Sequence, residues 1–89
     1  MSFDMYQDVI LTADLPGRGL CAGDVGTVVE RHTAPGKEIG YSLEFFDMTG
    51  RTAAVVCLPG SQLRSPTSAD RPAARTLAGT RTCCVSVER

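Results

Sequence analysis

The stretch that decides the fold is Gly23-Asp24-Val25-Gly26-Thr27-Val28-Val29-Glu30. A glycine–aspartate corner precedes a run of β-branched residues, which is typical of a tight turn that leads into a strand. Glycine tolerates both a positive φ and a close approach of other chain segments, so the two glycines favour a sharply bent sheet. The stretch therefore predicts a strand over residues 25–31 within a small β structure.

Further strand-like segments lie on both sides of this stretch. The clearest runs from Gly40 to Phe46, where Tyr41, Leu43 and Phe45 alternate with more polar neighbours, as expected of a strand with one buried face. Asp47-Met48-Thr49-Gly50 follows and predicts a tight hairpin with glycine at its positive-φ position. Together these patterns predict an all-β, strongly bent barrel with strands over residues 6–12, 25–31, 40–46 and 52–58, and a short closing strand from residue 63.

The inward positions of these strands predict the core. We expect Leu15 and Leu20, in the long loop after the first strand, to fold back onto it. Ala54 and Leu58 share the inward parity of the fourth strand. The predicted centre of the core consists of Val9, Leu11, Val28, Leu43, Phe45 and Val56.

Length and charge limit the classes of protein to which the chain can belong. Its 89 residues allow one domain with a thin core. We expect a barrel over residues 1–64 and an Arg/Pro/Ala-rich extension over residues 65–89. Residues 1–64 hold eight acidic and five basic side chains, a net charge of −3, whereas the extension carries +2. An acidic body repels phosphate, so nucleic-acid binding is disfavoured.

The sequence shows no signal for a membrane or for export. No apolar run approaches the roughly 18 residues of a membrane span, and the start of the chain lacks the basic and apolar regions of a signal peptide. We therefore expect a cytoplasmic protein, in which the four cysteines are free thiols.

No pattern of residues predicts catalysis or a metal site. His32 is the only histidine, and we expect it to be exposed at a strand end, with Cys57 partly buried. The cysteines form no C-x-x-C pair, so metal ligation would require the Cys83-Cys84 dipeptide to fold back towards Cys21 or His32. Neither an enzyme activity, a cofactor nor a small-molecule ligand is predicted.

Acidic residues beside the predicted turns favour a structural role. Asp24 and Asp47 each precede a tight turn, where an aspartate side chain can accept hydrogen bonds from nearby backbone N–H groups. General acid–base chemistry would instead need two carboxylates held in one cleft. We expect Asp24 and Asp47 to bond nearby backbone N–H groups in this way, and the wider set of carboxylates to cap turns or lie on a solvated face of the barrel; this set is Asp14, Asp24, Glu30, Glu44 and Asp47.

One combination of residues and spacings extends over most of the predicted barrel. It consists of Asp8-Val9-x-Leu11-x-x-Asp14-Leu15-Pro16-x-x-Gly19-Leu20-x-x-Gly23-Asp24-x-Gly26-Thr27-Val28-Val29-Glu30, then Tyr41-x-Leu43-Glu44-Phe45-x-Asp47, Gly50-x-Thr52 and Leu58-Pro59-x-x-Gln62-Leu63. This pattern resembles a family of short bacterial proteins, the DUF4926 family, over about residues 6–64. The resemblance implies an SH3-like barrel of five short strands and implies no activity. A looser likeness of fold alone connects the chain to KOW-type and Tudor-type barrels, some of which bind RNA or protein tails.

The remaining interpretation is a small, non-enzymatic module that binds a protein partner or its own copies. Phe46 lies on the polar parity of its strand, so it either is exposed or caps the open end of the barrel. The apolar stretch at residues 83–87 is a candidate for strand addition to an open sheet edge. The alternative is a KOW-like nucleic-acid-binding barrel. The candidate contact residues are Leu15, Leu20, Phe46, Met48, Cys83, Val85 and Val87.

Overall fold

Five antiparallel strands form a single sheet in the computed structural model, which describes residues 2–74. Their order across the sheet is β4-β3-β2-β1-β5, and the sheet curls into a half-barrel. This confirms the predicted all-β, bent architecture, with strand bounds within two residues of those expected; the SH3-like assignment stays a prediction. The strands are β1 (Asp8–Leu11), β2 (Val25–His32), β3 (Gly40–Phe46), β4 (Thr52–Pro59) and β5 (Leu63–Arg64).

The concave side of the sheet holds the core. All six residues predicted for its centre are buried, as is Leu20, and Leu15, Ala54 and Leu58 pack against them. The alternation in β3 buries Tyr41, Leu43 and Phe45 while their neighbours stay partly or fully exposed. The predicted inward parity is therefore confirmed in β2, β3 and β4.

Gly26 allows the sheet to curl tightly around this core. A Cβ atom at this position would lie 2.8 Å from the Cζ atom of Phe45, closer than carbon atoms can pack. The register between β2 and β3 also shifts between Val28 and Glu30, and such a bulge increases strand twist. The fold-deciding stretch therefore supplies both the space and the bend that the core requires.

An aromatic contact closes one end of the core. The rings of Phe3 and Tyr41 meet edge to face, with centroids 5.3 Å apart and an angle of 75°. The backbone N–H of Phe3 donates to the Tyr41 hydroxyl oxygen at 3.0 Å. Both side chains are fully buried. Phe3 is thus a core residue that precedes the first predicted strand, and the sequence patterns did not identify it.

The aspartates cap turns as predicted. Asp47 Oδ1 accepts hydrogen bonds from the backbone N–H groups of Thr49 and Arg51 at 2.8 and 3.0 Å, and Gly50 completes the hairpin at φ 90°. Asp24 and Asp14 accept from backbone N–H groups in the long loop after β1. The Thr49 hydroxyl, followed by these backbone donors, lowers the pKa of the Asp47 carboxyl.

The chain beyond β5 begins with a charged turn. Both Arg64 guanidinium Nη atoms donate to the Asp70 carboxylate, at 2.9 and 2.7 Å, and Asp70 also accepts from the Thr67 backbone N–H. The hydrogen bond from Arg64 is the main cause of the lowered Asp70 pKa. The rest of the extension, including the predicted strand with Cys83, Val85 and Val87, lies outside the described residues. In residues 2–74 there is no helix long and apolar enough to cross a membrane.

Candidate functional site

The predicted contact residues fall into two groups. Leu20 is only 2% exposed and Leu15 packs against the core, so the fold uses both internally and Leu20 offers no surface to a partner. Phe46 and Met48 are 48% and 90% exposed, which answers the question left open for Phe46: it does not cap the barrel end. The surface candidates within the described chain are therefore on β3 and the hairpin that follows it.

These two residues belong to a larger apolar surface on the convex side of the sheet. Across the strands, Thr27 pairs with Glu44, and Glu44 pairs with Val55. Val25 and Phe46 lie two residues beyond Thr27 and Glu44 on their strands, so they share the convex face with Val55. Val25 and Val55 are each about half exposed. We call Val25, Phe46, Met48 and Val55 the outer patch.

The outer patch borders the edge strand β4. This strand pairs with β3 on one side, and within residues 2–74 no strand pairs with its other side. Side chains and backbone groups alternate together along a regular strand, so Val55 and Cys57 share the convex face and the same direction of their N–H and C=O groups. Ala53 does not continue this alternation, because the register between β3 and β4 shifts between Phe45 and Phe46. The sequence of β4, TAAVVCLP, contains no charged residue. It is thus an eight-residue edge without the charges that normally discourage strand pairing.

Arg18 reaches across to the middle of this edge. Its Nη2 atom donates a hydrogen bond to the Val55 carbonyl oxygen at 2.8 Å, so this oxygen is accessible to a donor from outside the β3–β4 pair. Arg18 ends a 3₁₀ turn (Pro16–Arg18) that Gly19 closes at φ 72°. Leu15 and Leu20 bracket the turn with two backbone hydrogen bonds of 2.8 and 3.1 Å. The fold therefore holds one cation against an otherwise uncharged strand.

Three pairs of polar side chains on the convex side are within hydrogen-bond distance of each other. Thr27 donates to Asp8 at 2.9 Å, and the Thr52 hydroxyl donates to Glu44. His32 Nε2 lies 2.8 Å from the Ser42 hydroxyl, in the exposed strand-end position that was predicted. No group of three His, Cys, Asp or Glu side chains among the described residues could hold a metal ion.

The two cysteines in the described part of the chain differ from expectation. Cys57 is a free thiol but is exposed rather than partly buried, because it lies on the convex parity of β4 beside Val55. Cys21 is buried and disulfide-bonded. The expectation of free thiols is wrong for Cys21, since it rested on an assumed compartment and not on the position of the residue in the fold.

Comparison with known proteins identifies a family and no characterised relative. The family model described as "Domain of unknown function (DUF4926)" matches residues 5–65, which include all five strands. Neither a curated protein nor a solved structure matches the chain. The matched region contains the β4 edge, Arg18 and the outer patch.

Proposed function

Since the chain belongs to the DUF4926 family, a domain without an assigned role, we propose from its geometry that it is a non-enzymatic protein-interaction module. It accepts an extended segment of a protein partner as an additional strand at the outer edge of β4. Main-chain hydrogen bonds to Val55 and Cys57 hold the segment in register. The outer patch contributes the apolar contact beside it.

The observation that carries this proposal is the character of the β4 edge. Natural proteins protect exposed edges by shortening them, by placing charges, prolines or bulges on them, or by covering them. Within residues 2–74 the β4 edge is eight residues long and uncharged, and its protection is limited to the register shift beside Ala53, Pro59 at its end and the contact from Arg18. An uncharged edge of this length is suited to recruiting a strand.

The outer patch strengthens the proposal because it gives the added strand side-chain partners. Val55 lies on the edge itself, and Phe46 lies on the next strand with about half of its surface exposed. Exposed aromatic residues beside a polar surround are typical of the central contacts in protein interfaces. Met48, at the tip of the hairpin, extends the same surface and adapts readily to different partners.

Peptide selection on the full chain tests the proposal. A random twelve-residue display library is selected against the wild type and against Val55→Pro, which removes the outward-pointing N–H of Val55. We expect selected peptides to bind the variant at least tenfold more weakly. Circular dichroism checks that the variant is folded, and Val55→Lys repeats the test without changing the backbone. Glu30→Gln, which changes the charge by the same +1 on an exposed residue of β2 away from the edge, is the matched control.

Peptides that bind wild type and both Val55 variants equally would contradict the proposal. The nucleic-acid alternative is examined on the same protein with single-stranded oligonucleotides. Retention that falls steeply with salt would indicate phosphate contacts and favour that alternative.

Self-association is a second form of the same activity. Light scattering on the full chain and on a chain ending at Ala74 measures the mass of each. A larger mass for the full chain alone would assign self-association to residues 75–89. Equal monomer masses would remove that part of the proposal.

The proposal includes the cytoplasmic location expected from the sequence. Fractionation of cells that express the protein checks it directly. Thiol counting in the same extract adds a second readout, because a persistent disulfide at Cys21 would indicate an oxidising compartment.

A further inference from the structure

We propose that the strand accepted at the β4 edge carries a carboxylate that binds Arg18. This inference rests on the proposed function and specifies the chemistry of the partner. It starts from a single contact, the 2.8 Å hydrogen bond between Arg18 Nη2 and the Val55 carbonyl oxygen.

Arg18 has no carboxylate partner within residues 2–74. The two ion pairs in that part of the chain join Arg64 to Asp70 and His32 to Glu30. A guanidinium has five N–H donors arranged to bind two acceptor oxygens at once. The contact with one neutral carbonyl therefore uses only part of the hydrogen-bonding capacity of the Arg18 guanidinium.

Binding of a partner strand would change the hydrogen bonds of the Arg18 guanidinium. An added antiparallel strand needs the Val55 carbonyl as an acceptor, because this carbonyl lies in the middle of the outward row. A carbonyl oxygen can accept two hydrogen bonds, so the guanidinium either shares that oxygen with the new strand or is displaced from it, and its remaining N–H donors lie beside the new strand in both cases. A carboxylate on the new strand would give these donors a strong, two-point acceptor. A neutral strand would leave only water.

Charge distinguishes a foreign strand from a second copy of this chain. If β4 paired with its own copy around Val55, two Arg18 side chains would meet at the same carbonyls, and like charges repel. The β4 sequence contains no Asp or Glu, so β4 of a second copy supplies no carboxylate. Charge therefore disfavours pairing of β4 with β4, and the occupant that we propose is an apolar, extended segment of another protein that bears a carboxylate.

The attraction between Arg18 and a carboxylate of the partner has to act at short range. Residues 1–64 carry a net charge of −3, which opposes an acidic partner at long range. The nearest identified carboxylate, that of Glu44 opposite Val55, is engaged by the Thr52 hydroxyl. Since the pair would form at an exposed site, we expect a modest effect that weakens with salt.

The experiment compares matched peptides on matched variants of the full chain. Peptides from the edge-dependent selection are synthesised with Glu, Gln or Lys at the enriched acidic position, each with a free and an amidated C-terminus. Their Kd values are measured for wild type, Arg18→Gln, Arg18→Glu and the control Arg51→Gln. The two C-terminal forms separate a terminal carboxylate from a side-chain carboxylate, and a requirement for either supports the inference.

For wild type we expect the carboxylate form to bind about three- to tenfold more tightly than its neutral form, in the range of exposed charge-assisted hydrogen bonds. Arg18→Gln should reduce this ratio to about one, and Arg18→Glu should favour the Lys peptide, whereas Arg51→Gln should keep the wild-type ratio. Edge-dependent peptides that show no carboxylate preference on wild type would overturn the inference and leave the proposed function standing. If no peptide depends on the β4 edge, both fail.

Discussion

The two edges of the sheet differ in length, charge and cover. At one end, β5 has two residues and is followed at once by a charged turn, in which Arg64 and Asp70 are joined by two hydrogen bonds. At the other end, β4 has eight residues and no charge, and one guanidinium contacts it. A curled sheet that does not close has two edges, and within residues 2–74 the β4 edge is the longer, uncharged one, contacted by Arg18 from the long loop.

The two edges also differ in the number of contacts that stabilise them. The β5 end combines a buried side chain, Leu63, with an ion pair and a hydrogen bond from Gln7 to Ser65. The β4 edge leaves Val55 half exposed and its backbone directed outwards. We infer that the β5 end serves the integrity of the domain, whereas the β4 edge is available for binding.

The sharpest comparison replaces one apolar side chain at each edge by alanine. Leu63→Ala removes a buried side chain and should lower the free energy of unfolding by about 2–4 kcal/mol. Val55→Ala acts at a half-exposed position and should cost less than about 1 kcal/mol. Urea unfolding of both variants measures the difference. Similar losses at the two positions would show that the edges do not differ in this way.

The next largest effect is expected at Gly26, which allows the sheet between the two edges to curl. Gly26→Ala places a methyl group against the Phe45 ring, and overpacking of this kind should cost about 1–3 kcal/mol. Gly17→Ala is the matched control, because nothing lies within 4 Å of a Cβ atom there. Thermal unfolding followed by circular dichroism compares them, and an unchanged midpoint for Gly26→Ala would refute this role of Gly26.

A smaller effect is the pH dependence of stability that arises from the ion pair at the β5 edge. Because Arg64 and then Thr67 lower the Asp70 pKa in the folded state, this carboxylate contributes stability that is present above about pH 4, near the ordinary aspartate pKa. The contribution is lost as the pH falls further, towards the folded-state pKa. Asp70→Asn should therefore reduce the acid sensitivity of unfolding without abolishing it, because Asp47 also has a lowered pKa. Identical acid profiles for wild type and the variant would contradict this.

The smallest expected effect is at Tyr6, which precedes β1, the neighbour of the edge strand β5. Tyr6 adopts φ 63°, a conformation that glycine reaches without strain. Tyr6→Gly should raise the free energy of unfolding by less than about 1 kcal/mol, the relief of strain being partly offset by greater freedom of the unfolded chain. Tyr6→Phe keeps the strain and should leave stability unchanged. A loss of stability in Tyr6→Gly alone would mean that the exposed ring makes a contribution of its own.

Short-range patterns in the sequence were sufficient to predict the strands and their buried faces. In β3 the alternation of apolar and polar residues gave the strand bounds and the three buried side chains. The turn at Asp47 was equally accessible, because both the capping aspartate and Gly50 act within a few residues of each other. Such features depend on neighbours along the chain, and the sequence displays those neighbours directly.

Features that depend on distant residues could not be predicted in the same way. Phe3 precedes the first predicted strand and meets Tyr41 38 positions later, so its burial depends on a contact that is distant in the sequence. The contact between Arg18 and Val55 joins residues 37 positions apart, and it exists only because the long loop folds over the edge. The exposure of Cys57, by contrast, was available from the parity that places Val56 inside.

The burial of Tyr41 makes the protein its own optical reporter. The chain has two tyrosines and no tryptophan; Tyr41 is sealed beneath Phe3, whereas Tyr6 is 73% exposed. A water-soluble quencher should therefore reach one phenol in the native protein and both after denaturation. Emission from the shielded ring thus follows the intact domain without any attached dye, and the accessible ring provides the internal standard in the same cuvette.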